Sequence, residues 1–289
     1  MLFKRGICAL AAFLLSMTIG LSAPSGAQVH KIEYSQAAGT PLFMDASVPE
    51  GPGPFAAAIV VHGGGWVRGD RRTDVAPLLP PLTRAGIAWF SIDYRLSDDM
   101  SQFGAAVEDV KNAIRFVKAH AAEYRVDPDR IALVGESAGG QLAAMAALAP
   151  EAGLEVKAVV ALYAPTDLVD LAETSNFVPR QIRDALQGTP FARFILARLG
   201  QLSPVNSIKA GAPPFLLIHG TDDALVPFRQ SRVMCERLKA AGGSCKLYPV
   251  EGGGHGIRWW DVALPREAEQ YKREMVLWLK ENLGIPSVG

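Results

Sequence analysis

One serine of the chain stands in a sequence setting that suits covalent catalysis. Ser137 is the centre of G-E-S-A-G at residues 135–139, between an apolar run at 131–134 and an alanine-rich run at 141–148. A serine at a sharp strand-to-helix turn has a strained backbone, and glycines on both sides let the strand and the helix pass closely. The pattern therefore predicts a nucleophile, while a tight turn with a helix-capping serine is the alternative.

A run of three glycines follows a second apolar run and lies in H-G-G-G-W at 62–66. Backbone N–H groups of such a loop can stabilise an oxyanion together with the N–H that follows the nucleophile. The predicted oxyanion donors are Gly64, Gly65 and Ala138. The predicted supporting residues of the loop are His62 and Gly63. A flexible glycine turn is the alternative, and a phosphate loop is disfavoured because no Lys-Ser/Thr pair follows the glycines.

A serine nucleophile needs a base, and the base needs a carboxylate that orients it. His255 lies in G-G-G-H-G at 252–256, directly after the last predicted strand, and Asp222 and Asp223 follow the strand before it. Serine, acid and histidine in this order, each after a strand, is the order found in α/β-hydrolases. A solvated surface histidine is the alternative for His255, and composition does not choose between the two aspartates.

The elements that must position these residues are short apolar strands that alternate with amphipathic helices. The predicted strands are residues 29–35, 41–48, 56–62, 87–93, 131–134, 156–163, 214–219 and 246–250, and the predicted helices are 103–117, 141–148, 230–241 and 267–283. This alternation predicts an α/β fold with a mostly parallel central sheet flanked by helices. Residues 167–203 contain amphipathic pieces and no strand, which predicts a small helical cap insertion or a packed pair of surface helices.

The N-terminus has the pattern of a secretory signal peptide. Lys4 and Arg5 precede an uncharged, mostly apolar run at 6–21, and small residues at 25–27 form an A-x-A-like cleavage site. The run is shorter than the ~20 residues of a spanning helix. We therefore predict a signal peptide at 1–27, a hydrolase domain at 28–289, and export to the periplasm or beyond without a stable membrane anchor. An uncleaved anchor is the alternative.

Composition limits the possible partners. The chain has 289 residues, with 29 Lys and Arg against 29 Asp and Glu, and no long basic run, so nucleic acid is disfavoured. The adjacent Arg71 and Arg72 are interpreted as solvated surface. Cys235 and Cys245 could form a disulfide in an exported protein or remain buried thiols, and the sequence leaves both open. It also leaves the oligomeric state open.

Together the motifs resemble the esterase and lipase group related to hormone-sensitive lipase, and within it bacterial feruloyl-esterase-like (BD-FAE-like) and acetyl-esterase-like proteins. The matching pieces are 62–66, G-D-R at 69–71, D-Y-R-L at 93–96, D-P at 127–128, G-E-S-A-G-G at 135–140, 219–227 and 252–256. The resemblance implies an α/β-hydrolase fold and a triad of Ser137, Asp223 and His255. Its pattern H-G-x-x-D-x-x-V-P places the acid four residues after His219, at Asp223.

The function implied by this resemblance is that of a serine carboxylesterase acting on a small-molecule or polymer-linked ester. No metal and no organic cofactor is expected. The alternatives are an acetyl or feruloyl esterase of plant cell walls, an amidase, formamidase or peptidase on the same fold, and a catalytically silent binding module. Trp66 and Phe191, the latter in the apolar insertion, are predicted to line the substrate pocket.

Overall fold

The computed structural model describes residues 27–37, 39–97, 103–174 and 189–286. The predicted signal peptide falls outside these residues except for Ala27, which begins the first strand. Within the described ranges, no helix is both long and apolar enough to cross a membrane.

A mostly parallel eight-stranded sheet forms the centre of the fold, as the alternation predicted. Its strands are β1 (Ala27–Ala37), β2 (Thr40–Val48), β3 (Phe55–Val61), β4 (Ala88–Ile92), β5 (Val126–Glu136), β6 (Ala158–Leu162), β7 (Phe215–Gly220) and β8 (Cys245–Val250). Their order across the sheet is β1-β2-β4-β3-β5-β6-β7-β8. Strand β2 is antiparallel to both neighbours, and the other neighbouring pairs are parallel. The loops that follow β3 to β8 therefore meet at one edge of the sheet.

Helices cover both faces of this sheet. They are α1 (Leu79–Arg84), α2 (Phe103–Ala119), α3 (Ala138–Leu148), α4 (Leu168–Thr174), α5 (Pro190–Gln201), α6 (Arg229–Ala240), α7 (Ile257–Ala263) and α8 (Pro265–Asn282), with short 3₁₀ turns at Ala76–Leu78 and Pro204–Asn206. Apolar side chains of α2, α3 and α6 join the core on one face, and those of α1 and α8 join the core on the other.

Strand β3 illustrates why its sequence is a continuous apolar run. Ala57, Ile59 and Val61 point into one core, whereas Ala58 and Val60 point into the other. All five are fully buried. Because successive side chains of a strand face opposite ways, a strand covered on both faces cannot alternate apolar with polar residues.

Helix α3 crosses very close to the end of β3. A Cβ atom added at Gly139 would lie 2.2 Å from the carbonyl oxygen of His62 and 2.3 Å from that of Val61. Only glycine fits at this contact. Helix α3 begins at Ala138, three residues before the predicted start, so Ser137 lies at the junction of β5 and α3, next to the glycine loop.

The described parts of the predicted insertion at 167–203 are helical. They comprise α4 and α5, and residues 175–188 between them lie outside the described residues. A small apolar cluster joins the two helices, and Trp66 of the glycine loop packs against it; its buried members are Leu168, Leu199 and Leu202. The insertion therefore contacts the loop that was predicted to form the oxyanion hole.

The prediction that Arg71 and Arg72 are solvated surface is wrong for Arg71. Its side chain is 10% exposed, with Nε 3.2 Å from Asp45 and a nitrogen donating to Asp93 at 2.7 Å. Arg72 is half exposed and pairs with the same Asp45. The carboxylate of Asp45 is buried and needs cationic partners. The burial of Asp45, and with it the pairing of Arg71, depends on the folded environment and could not be predicted from the composition.

The structure joins Cys235 of α6 to Cys245 of β8 in a disulfide, with the two Cα atoms 5.4 Å apart. This resolves the choice that the sequence left open between a disulfide and two thiols. The bond ties the last strand of the sheet to the helix that packs beside it.

Candidate active site

Ser137 occupies a strained position at the edge of the sheet where the parallel strands end. Its backbone φ is +52° and its ψ is −122°, a region that non-glycine residues rarely adopt. The N–H of Ser137 donates to the carbonyl of Leu162 at 2.9 Å, which fixes the turn to strand β6. The strain is maintained because the strand before the serine and the helix after it are both buried.

The structure brings Ser137, His255 and Asp223 into one line of hydrogen bonds. His255 Nε2 lies 2.9 Å from Ser137 Oγ, and His255 Nδ1 lies 2.7 Å from Asp223 Oδ2. An ionised carboxylate only accepts, so Nδ1 carries the proton and Nε2 of the neutral ring can accept from the serine hydroxyl. This arrangement can deprotonate the serine during attack on a carbonyl group.

Asp223 is held as an ionised acceptor. Its Oδ1 accepts from the backbone N–H groups of Leu225 at 2.9 Å and Val226 at 2.8 Å. Burial raises the pKa of Asp223, but hydrogen bonds from His219, His255 and the backbone outweigh it and lower the pKa to about 2. The carboxylate therefore stays negative throughout the neutral range.

Asp222 has a different place in the same turn. Its side chain is exposed and accepts from the hydroxyl of Thr221 at 3.3 Å. Its backbone N–H donates to the carbonyl of Gly253 at 3.0 Å, which links the acid turn to the histidine loop. The side chain of Asp223, and not that of Asp222, reaches His255.

The glycine loop lies beside the serine. Gly64 and Gly65 have φ values of +104° and +64°, which glycine adopts without strain. The N–H of Gly63 donates to Glu136 Oε1 at 2.7 Å, so it is already engaged. Gly64 and Gly65 line a common pocket with Ser137 and with Ala138, which begins α3. The first N–H groups of a helix have no partner within that helix, so Ala138 is suited to donate to an oxyanion.

His62 and Tyr94 support this loop from below. Nδ1 of the buried His62 lies 2.8 Å from the carbonyl of Gly63, and burial lowers the pKa of His62. The Tyr94 ring stacks on His62 with centroids 4.4 Å apart, and its hydroxyl donates to the Gly63 carbonyl at 3.0 Å. These contacts fix the start of the glycine loop.

Two functional candidates were missed in the sequence, Glu136 and Tyr163. The Tyr163 hydroxyl donates to Glu136 Oε2 at 2.6 Å and accepts from the N–H of Ile257 at 3.1 Å, while its ring packs edge-on against His255 with centroids 4.7 Å apart. Since Glu136 also holds Gly63, the pair connects the glycine loop, the serine turn and the histidine loop. The sequence did offer one signal, which was position: Tyr163 is the last residue of a predicted strand that ends at the same edge as Ser137, and Glu136 precedes the serine.

An apolar pocket of about 510 Å³ opens at Ser137. Its larger apolar side chains are Trp66, Val67, Pro165, Leu171, Leu225 and Val226. Trp66 therefore lies where it was predicted, and Leu171 of α4 is the contribution from the described part of the insertion. The side chain of Phe191 is outside the described part of the structure, so its predicted place in the pocket stays a prediction.

A second cleft of about 410 Å³ also borders His255 and is termed the polar cleft because of the charged residues in its lining. Its charged residues are Arg68, Asp74, Glu136 and Arg258, and Tyr163 forms part of its wall. The described residues contain no group of three or more His, Cys, Asp or Glu side chains that could hold a metal ion.

Sequence comparison places this chain in a known family. The BD-FAE family model matches residues 44–238, more than half of the chain. The chain belongs to the BD-FAE family. The α/β-hydrolase fold and the esterase resemblance expected from the motifs are thereby confirmed.

Relatives of this BD-FAE family member include esterases of Mycobacterium tuberculosis. The probable carboxylic ester hydrolase LipM is 34% identical over 65% of this chain and 46% of its own length. Esterase LipC is 34% identical over 73% of this chain and 55% of its own length. The chain thus spans about half the length of these curated relatives.

Solved structures match over nearly the whole chain. Esterase Est2 of Thermogutta terrifontis, a Planctomycetes species, in a butyrate-bound form, is 28% identical with a TM-score of 0.73, covering 92% of this chain and 97% of its own. A truncated carbohydrate esterase from gut microbiota is 25% identical with a TM-score of 0.73, covering 91% and 98%. Esterases of similar length therefore share this fold.

We expect Tyr163→Phe to lower kcat for a short ester by about 5-fold to 30-fold, because it leaves Glu136 Oε2 and the N–H of Ile257 without their buried partner. The ring against His255 is retained, so the loss reports the hydroxyl alone. Steady-state kinetics of the variant measure the effect. Tyr248→Phe, on the partly exposed strand β8, is the matched control and should keep its kcat. An unchanged kcat in Tyr163→Phe would show that the three loops are held independently of this hydroxyl.

Proposed function

We propose that this protein is a serine carboxylesterase whose catalytic residues are Ser137, His255 and Asp223. The single observation that carries the proposal is the hydrogen-bonded line of these side chains, which starts at a strained serine beside a glycine loop. Each part has a known use in ester hydrolysis, namely a nucleophile, a base, an orienting acid and backbone donors.

The reaction is acyl transfer through a covalent intermediate. His255 takes the proton of Ser137 while Oγ attacks the ester carbonyl carbon, and N–H groups of Gly64, Gly65 and Ala138 hold the resulting oxyanion. His255 then protonates the leaving alcohol, and the acyl group stays on the serine. Water, deprotonated by the same histidine, attacks the acyl-enzyme; the bond between the acyl carbon and Ser137 Oγ then breaks, the acid leaves, and His255 returns the proton to Oγ. Asp223 keeps the imidazole in the required tautomer and balances its positive charge.

The substrate class is a small-molecule or polymer-linked carboxylic ester. The apolar pocket beside Ser137 suits an acyl chain, and one similar structure was solved with butyrate. A second candidate is an acetyl or feruloyl ester of a carbohydrate polymer, which the polar cleft and the similarity to a carbohydrate esterase favour. Hydrolysis of p-nitrophenyl butyrate without hydrolysis of the matching anilide would separate esterase from amidase activity.

Ser137→Ala is expected to reduce kcat for p-nitrophenyl butyrate to less than about a hundredth of the wild-type value, because only this side chain can form the acyl-enzyme. The far-UV circular dichroism spectrum should be unchanged. Ser244→Ala, at an exposed position before β8, is the control and should retain full activity. Substantial activity in Ser137→Ala would sink the proposed mechanism.

The two neighbouring aspartates should differ sharply in their effect on kcat. We expect Asp223→Asn to cost at least about 10²-fold, because an amide can favour the wrong imidazole tautomer, and Asp222→Asn to cost less than about tenfold. Kinetics of both variants on one short ester provide the comparison. The reverse order of damage would move the acid to Asp222.

We also propose that the chain is exported to the periplasm or the cell exterior, and that the mature protein begins near Gln28. The order of charged, apolar and small residues at the N-terminus supports export, and the Cys235–Cys245 disulfide suits an oxidising compartment. N-terminal sequencing of protein from the native host should find this start. A mature chain that still begins at Met1 would contradict the proposal.

A further inference from the structure

The two cavities meet at the reacting centre, where they share Gly64, Arg68, Glu136 and His255. An ester whose carbonyl carbon lies at Ser137 Oγ extends in two directions, along its acyl chain and along its alcohol. Each cavity can therefore take one arm of the substrate.

The alcohol arm belongs on the side of the polar cleft. His255 has to reach the leaving oxygen in order to protonate it. The polar cleft is built partly from residues 256–258, which directly follow this histidine, whereas Ser137 and Ala138 line the apolar pocket. An apolar pocket beside the nucleophile suits the acyl chain, and the cleft lined by His255 and the residues after it suits the alcohol.

The negative groups of the cleft are already engaged. Both carboxyl oxygens of Glu136 accept internal hydrogen bonds, and burial raises its pKa. Asp74 Oδ2 accepts from the N–H of Asp70 at 2.9 Å, and Asp74 Oδ1 lies 3.8 Å from Arg258. These acids are therefore poorly placed to serve as acceptors for a ligand.

Arg68 is different, because its side chain has no hydrogen bond or ion pair with any described residue. The nearby Arg71 and Arg72 are both paired with Asp45. The main chain of Arg68 is fixed, since its N–H donates to the carbonyl of Gly64 at 3.3 Å. An available guanidinium group is thus anchored to the glycine loop at the wall shared by the two cavities.

We propose that Arg68, assisted by Arg258, binds a carboxylate on the alcohol part of the ester substrate. The inference rests on the esterase function proposed above. A guanidinium group binds a carboxylate through two parallel charge-assisted hydrogen bonds, and Arg68 breaks no ion pair with a described residue to do so. Arg258 is 68% exposed and lies 3.8 Å from Asp74, so it adds a second positive charge to the lining of the same cleft.

The test compares hydrolysis of the acetyl ester in 4-acetoxybenzoate and in methyl 4-acetoxybenzoate. The alcohol part carries a negative charge in the first substrate and is neutral in the second. The measured quantity is kcat/KM for the anionic substrate divided by kcat/KM for the neutral one. Arg68→Gln should lower this ratio by about 5-fold to 20-fold, an effect smaller than for a buried ion pair because Arg68 is exposed to solvent. The change should lie mainly in KM. Arg84→Gln, at an exposed arginine that ends α1 and lines neither cavity, is the control and should leave the ratio unchanged.

Two further variants keep the test decisive if Arg68→Gln folds poorly. Arg68→Lys retains the charge without the planar fork, so its ratio should fall between those of wild type and Arg68→Gln. Arg258→Gln should lower the ratio by about 2-fold to 3-fold, as expected for an exposed charge. In about 0.5 M NaCl, screening should reduce the wild-type ratio toward that of Arg68→Gln.

Three results would overturn the inference. One is an unchanged ratio in both Arg68 variants. Another is an equal loss on both substrates, which would mean that Arg68 only shapes the glycine loop. The third is a selective loss on mono-4-nitrophenyl glutarate relative to 4-nitrophenyl butyrate, which would place the anion on the acyl side. If the neutral ester is hydrolysed and the hydrolysis requires Ser137, these outcomes reject the anion site and leave the esterase function intact.

Discussion

The close approach of helix α3 to the end of strand β3 sets the geometry on which the rest of the site depends. Gly139 permits this approach, since any larger side chain would overlap the carbonyls of Val61 and His62. The contact places the turn that carries Ser137 directly against the glycine loop that follows β3. This contact fixes the distance between the Ser137 turn and the glycine loop. The loops after β7 and β8 then bring Asp223 and His255 to the same edge of the sheet.

Two carboxyl groups lie near His255, and their environments push their pKa values in opposite directions. The pKa of Asp223 is lowered because several donors converge on it despite burial, whereas burial raises the pKa of Glu136. Asp223 thus supplies a permanent negative charge next to the imidazole of His255. Glu136 is mainly a structural acceptor of the hydrogen bonds from Gly63 and Tyr163. Divergent pKa values in neighbouring acids are a common way of assigning separate roles to them.

The sequence predicted the parts of the molecule that depend on local patterns. Continuous apolar runs identified strands such as β3, and the motif around Ser137 identified the turn, because strand burial and backbone strain limit which residues fit. It did not predict the burial of Arg71, the role of Tyr163 or the pairing of the cysteines. Tyr163 meets Ile257 across 94 positions of the chain, and such a contact has no periodicity or spacing that a single sequence could reveal.

The disulfide between α6 and β8 restrains the strand that leads into the loop carrying His255. Strand β8 lies at the end of the sheet, with β7 as its pairing partner, and the loop that carries His255 begins where β8 ends. The two cysteines are 10 positions apart in the sequence. In the entropic account, a cross-link of this length stabilises the folded state by roughly 2–3 kcal/mol, because it lowers the conformational entropy of the unfolded chain. A chain that folds in a reducing compartment lacks this cross-link at the outermost strand, so the strand that precedes the His255 loop is restrained by one covalent bond fewer than in the oxidised chain.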